Sequence, residues 1–124
     1  MKIKKISFIN LYTPNFHKAI KFYKKIGLTS LKGNKGNWFG FSTGQTIFAL
    51  EPQTNRKSYN FKFNKDNPIL IQFKVKTVKD LMQITKNLEN KGVKVKQKVL
   101  KKSYGTITTF LDPDSNAIEL LVKN

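Results

Sequence analysis

Residues 6–28, ISFINLYTPNFHKAIKFYKKIGL, carry the pattern that decides the fold. An alternating apolar run reads as a strand, a short polar turn follows, and then the period changes from two to 3.6. Phe16, Ala19, Ile20, Tyr23 and Ile26 fall on one side of a helix, with Lys18, Lys21, Lys24 and Lys25 largely on the other. Gly27 stands where a helix ends on a left-handed residue, and apolar Leu28 follows it. Residues 69–93, ILIQFKVKTVKDLMQITKNLENKGV, repeat the scheme. There Val78, Leu81, Ile84 and Leu88 form the stripe, Thr77 is placed to cap the helix, Asp80 favours its first turn, and Gly92 closes it.

Each glycine is followed by three strand-like runs. In the first half they fall at about 28–33, 37–43 and 46–51, and in the second at about 93–99, 104–111 and 117–123. The unit strand–helix–strand–strand–strand is therefore used twice. The predicted fold class is α+β, built from two βαβββ modules. The expected organisation is one domain over 1–124, with modules at about 1–51 and 68–124 and a polar connector at about 52–67.

Composition narrows the function. With 124 residues, 39% hydrophobic residues and 15 aromatic ones among Phe, Tyr and Trp, the chain can bury a core. No stretch approaches the roughly 18 apolar residues of a membrane span. The opening MKIKKISFINLY alternates and is not read as a secretion signal. The absence of cysteine excludes disulfides, thiolate catalysis and Cys-based metal sites, and a cytoplasmic location is expected. A formal charge of +17 attracts anions. Arg56 is the single arginine, however, and the lysines are spread along every segment, which weighs against dedicated nucleic-acid recognition.

The doubled unit, with HKAIKFYKKIGL after the first strand and FLDPDSNAIEL near the end, resembles the vicinal oxygen chelate superfamily. That group includes glyoxalase I, bleomycin-resistance proteins and extradiol dioxygenases. The resemblance spans almost the whole chain. It implies that the two modules form a curved mixed sheet around a cavity with the helices outside, that ligands and metals would lie on its concave face, and that the protein pairs as a homodimer.

Alternation along each strand sorts the side chains between the two faces. Phe8, Asn10 and Tyr12 are assigned to the cavity face of the first strand, with Ile9 and Leu11 against the helix. Glu51 joins the cavity set through Ile47 and Ala49, while Phe48 and Leu50 take the helix side. Leu70, Gln72 and Lys74 alternate with Ile71, Phe73 and Val75, and Glu119 and Leu121 alternate with Ile118, Leu120 and Val122. Trp38 and Phe41 are added as aromatic lining. The run 104–111 gives no decisive parity. DPDSN is a turn, in which Ser115 takes a place usually held by glycine in the family. Lys94, Lys96 and Lys98 lie opposite the apolar face of an edge-like run, where lysine blocks unwanted strand pairing.

Metal-dependent members of the superfamily draw ligands from the first and last strands of each module. Mapped onto this chain, those places hold Phe8, Glu51, Leu70 and Glu119. A benzyl and an isobutyl group have no lone pair to offer, and His17, the only histidine, falls near the start of the first helix. The expectation is a degenerate site with no metal, no cofactor and no assigned catalytic residue. The favoured function is a metal-free protein that binds a small aromatic or anionic molecule, for resistance or sequestration. Two alternatives stay open: a lyase, isomerase or dioxygenase relative working through Glu51 or Glu119, and a non-specific binder of nucleic acid or anionic surfaces.

Overall fold

The computed structural model describes residues 3, 6–53 and 70–124. The chain divides into two compact units, Met1–Asn60 and Phe61–Asn124. The predicted connector at 52–67 lies outside the described residues beyond Gln53.

The first unit runs β1 (Phe8–Thr13), α1 (Phe16–Lys25), β2 (Thr29–Ser30), β3 (Phe39–Thr43) and β4 (Thr46–Pro52). The second runs β5 (Leu70–Lys74), α2 (Val78–Asn90), β6 (Val95–Lys102), β7 (Gly105–Leu111) and β8 (Ala117–Lys123). Each is a βαβββ module with one open, four-stranded mixed sheet, ordered β1-β4-β3-β2 and β5-β8-β7-β6. In both, the first strand pairs parallel with the last, and the remaining pairs are antiparallel. The α+β class and the doubled module are thus as the sequence predicts. The strand expected at 28–33 shrinks to two residues, because Gly33 and Gly36 turn the chain at positive φ before β3 begins.

Both helices end in the same way. Leu28 N–H reaches the Tyr23 carbonyl and Gly27 N–H reaches Lys24, at 3.2 and 3.1 Å. Val93 and Gly92 repeat this with Leu88 and Glu89, both at 3.0 Å. These paired bonds satisfy the last carbonyls, and they require the left-handed backbone that Gly27 (φ 104°) and Gly92 (φ 79°) adopt. At the other end of α2 the Thr77 hydroxyl accepts the Asp80 N–H at 3.1 Å, the predicted cap.

One face of each sheet is closed by its helix. In the first unit Tyr23 is fully buried and its ring stands 4.8 Å from Phe48 and 6.3 Å from Phe41. Phe22, absent from the predicted stripe, is also buried, at 5.1 Å edge-on to Tyr23. In the second unit Leu81 and Leu88 of α2 are buried, as are Ile118 and Leu120 of β8 and Phe110 of β7. Val78, predicted on the stripe, is 46% exposed at the first position of α2.

Candidate functional site

The open face of the first sheet is defined by register. Phe8, Asn10 and Tyr12 stand opposite Ile47, Ala49 and Glu51, and Ala49 in turn stands opposite Gly40. Asn10, Ala49 and Gly40 therefore form one row across three strands, two of them with almost no side chain. A Cβ on Gly40 would lie 2.6 Å from Trp38 Cη2 and 2.7 Å from Leu31 Cδ1. The indole of Trp38 thus occupies the space that a side chain at 40 would take. Asn34 fixes this arrangement: its Nδ2 donates to the Leu31 and Gly40 carbonyls at 3.0 Å, and its Oδ1 accepts the Gly40 N–H at 2.9 Å. Trp38 then meets Phe8, with ring centroids 6.4 Å apart and planes tilted by 37°. Phe8 is 48% exposed.

Between those rings and Tyr12 sits Asn10. Both polar atoms of its carboxamide are shut off from solvent, and neither has a hydrogen-bond partner. A buried amide left unmatched costs about 1–3 kcal/mol, so its retention calls for a reason.

Phe41 corrects the sequence reading. It pairs with Phe48, not with the open row, and is fully buried against Tyr23 of α1. Strand parity forces this: once Gly40 is opposite Ala49, residue 41 must point to the helix. Phe39 follows Phe41, 5.1 Å away, with Lys24 Nζ 5.1 Å above its ring. Of the aromatic run, only Trp38 belongs to the open face.

In the second unit Leu70, Gln72 and Lys74 stand opposite Ala117, Glu119 and Leu121. Leu70 is 49% exposed, whereas Leu121 is buried. Thr109, whose parity the sequence leaves undecided, stands opposite Glu119 on the other side. The three residues form a chain of contacts. Gln72 Nε2 donates to Glu119 Oε1 at 2.8 Å, and Thr109 Oγ1 donates to Oε2 at 3.2 Å. Neutral donors from both neighbouring strands hold the carboxylate, while Lys74 lies one rung further along, opposite Leu121.

The DPDSN turn closes on Asp112. Its Oδ1 accepts the N–H groups of Asp114 and Asn116 at 2.9 and 2.8 Å, and its Oδ2 accepts Asn116 Nδ2 at 2.9 Å. Ser115 has φ 66°, the left-handed backbone that glycine takes more readily. The acids of this turn are structural. His17 is exposed on α1, its ring edge-on to Phe16 at 5.4 Å.

The four positions where related proteins hold a metal do not supply a donor set. Phe8 and Leu70 offer no lone pair, and both oxygens of Glu119 already accept hydrogen bonds. Among the described residues no group of three or more His, Cys, Asp or Glu side chains could hold a metal ion. Glu51 and Glu119 alone fall short of the three protein ligands that catalytic zinc requires.

A family model for the Glyoxalase/Bleomycin resistance protein/Dioxygenase superfamily matches residues 5–120. The chain belongs to this superfamily. Among solved structures of the glyoxalase type, a glyoxalase-related enzyme from Fulvimarina pelagi superposes with a TM-score of 0.79 at 12% identity, covering 98% of this chain and 89% of the other. A lactoylglutathione lyase from Agrobacterium tumefaciens gives 0.70 at 18% identity, covering 98% and 96%. A hypothetical protein of S. aureus gives 0.78 at 22% identity, covering 98% and 95%. At such identities the likeness is one of fold. No curated protein matches the chain in sequence. Among the described residues no helix is long and apolar enough to cross a membrane.

Proposed function

We propose that this glyoxalase-superfamily chain binds a small, planar organic molecule on the open face of its first sheet, and does so without a metal. The observation that carries the reading is Asn10. Its carboxamide nitrogen, a donor, and its oxygen, an acceptor, are both buried and both without a partner among the described residues. A ligand that presents an acceptor and a donor side by side, such as a carboxamide, a lactam or a protonated carboxyl group, satisfies both. The tilted pair Phe8 and Trp38 supplies aromatic surface for a ring attached to that group. The small residue at 40 lets the Trp38 indole lie flat across the row and present its ring beside Phe8.

Sequestration is favoured over turnover by the engagement of Glu119. With its two oxygens held by Gln72 and Thr109, Glu119 is a positioned acceptor and not a free base. The charge of +17 favours a neutral or anionic ligand over a cationic one. A thermal-shift screen of planar aromatic carboxamides and carboxylates tests the proposal. Stabilisation of the parent protein, lost in Phe8→Ala and Trp38→Ala, supports it. A hit that stabilises those variants equally, or the absence of any hit, refutes it.

A further inference from the structure

On the second unit α2 and the edge strand β6 leave an open cleft of about 620 Å3. Its apolar surface comes from Val99, from Met82, which is 52% exposed, and from buried Thr85, whose hydroxyl proton is committed to the Leu81 carbonyl at 2.8 Å. Lysines border it. Lys79 and Lys86 are seven residues apart, hence on the same side of α2 two turns from each other, and Lys98 comes from β6. None of the three ammonium groups has an ion-pair partner among the described residues. Among the described residues Glu89 is the single acid on the lining.

The strand is shaped for this. Simple alternation would put Lys98 and Val99 on opposite faces of β6. Instead the register with β7 slips between Gln97 and Leu100, where three steps on β6 match two on β7. A bulge of this kind re-aims side chains, and here Lys98 and Val99 both line the cleft.

We propose that this cleft is a second binding site, for a soluble anionic amphiphile: a carboxylate head among Lys79, Lys86 and Lys98, with an alkyl chain laid along Met82 and Val99. The lining residues of α2, 79 to 89, span about 15 Å of helix, enough for an alkyl chain of moderate length. The charge arrangement selects against cations, and the exposed Met82 selects against small inorganic anions, which gain nothing from it.

Backbone chemical-shift mapping of the 15N-labelled full chain with decanoate tests the site. The expected shifts fall on residues 79–89 and 98–99 and are absent with decyltrimethylammonium. Combined Lys86→Glu and Lys98→Glu should weaken decanoate about tenfold. Lys18→Glu with Lys21→Glu, which removes the same charge from α1, should weaken it less than about twofold, the scale of long-range screened charge. Met82→Asp should also weaken it. Shifts spread equally over α1 and α2, equal losses in the two charge-matched pairs, or binding to anionic vesicles without any response to monomeric decanoate would each overturn the proposal. The spectra themselves report whether each variant is folded. Shifts confined to the Phe8–Trp38 face would likewise refute this cleft while leaving the first site standing.

Discussion

Gly40→Ala is the most informative single change on the first sheet. The added methyl would sit 2.6 and 2.8 Å from the Cη2 and Cζ3 atoms of Trp38 and 2.7 Å from Leu31 Cδ1. Carbon atoms rest at about 3.5–4.0 Å, so the overlap is about 1 Å on each contact. All three atoms are the far ends of side chains, and Trp38 is only half-buried, so the ring can rotate away while the strand keeps its register. The expected cost is about 1 kcal/mol, at the low end of overpacking, and a fall in Tm of about 4 °C. The effect on the site should be far larger than the effect on stability. Trp38 is the only tryptophan, so intrinsic fluorescence reports this ring alone. In Gly40→Ala the emission should move to longer wavelength and acrylamide quenching should increase, with the circular dichroism unchanged. Ligand-induced stabilisation should disappear. Unaltered emission and quenching in a folded Gly40→Ala protein would show that the indole does not lie over residue 40, and the aromatic pairing with Phe8 would fall with it.

Gly105→Ala makes the contrasting case: its methyl would meet the Val122 carbonyl oxygen at 2.3 Å, and a backbone atom in a paired strand cannot swing aside. Denaturant unfolding should show a loss of about 2–4 kcal/mol, clearly more than for Gly40→Ala. Ser115→Gly relieves the left-handed backbone at φ 66° and should stabilise the chain by about 0.5–1 kcal/mol, after allowance for the extra freedom of glycine in the unfolded state. Asp112→Ala removes three hydrogen bonds from a buried turn and should cost about 2–4 kcal/mol by the same assay.

The module plan was readable because it is written in local chemistry. Gly27 and Gly92 mark helix ends through a backbone conformation that favours glycine, and the change of period from two to 3.6 marks the passage from strand to helix. Face assignments were readable where one parity was clearly apolar, as in 69–76 and 117–123. They were not readable where both parities were alike. In NWFGFST the aromatic residues Trp38, Phe39 and Phe41 fall on both faces, and only pairing with β4 shows that Phe41 belongs to the helix layer. In YGTITTFL, threonines occur on both faces, so the contact from Thr109 to Glu119 was hidden until the register with β8 was known. The slips in β6 leave no mark in VKVKQKV, because a bulge without glycine looks like any other alternation. Asn10 could be placed on its face from sequence, but the isolation of its amide is a property of packing. Phe22 falls outside the stripe that spacing suggests, and its burial edge-on to Tyr23 is a property of packing.

A buried amide kept without a partner needs a reason, and Asn10→Leu tests it directly. Leucine has nearly the same shape and no polar atoms. Thermal unfolding of the ligand-free variant should therefore rise by several degrees, as a penalty of about 1–3 kcal/mol is removed, while stabilisation by any aromatic carboxamide that protects the parent protein is lost. Lower stability of Asn10→Leu, together with an unchanged response to the same compound, would contradict the claim that Asn10 is held in reserve for a ligand.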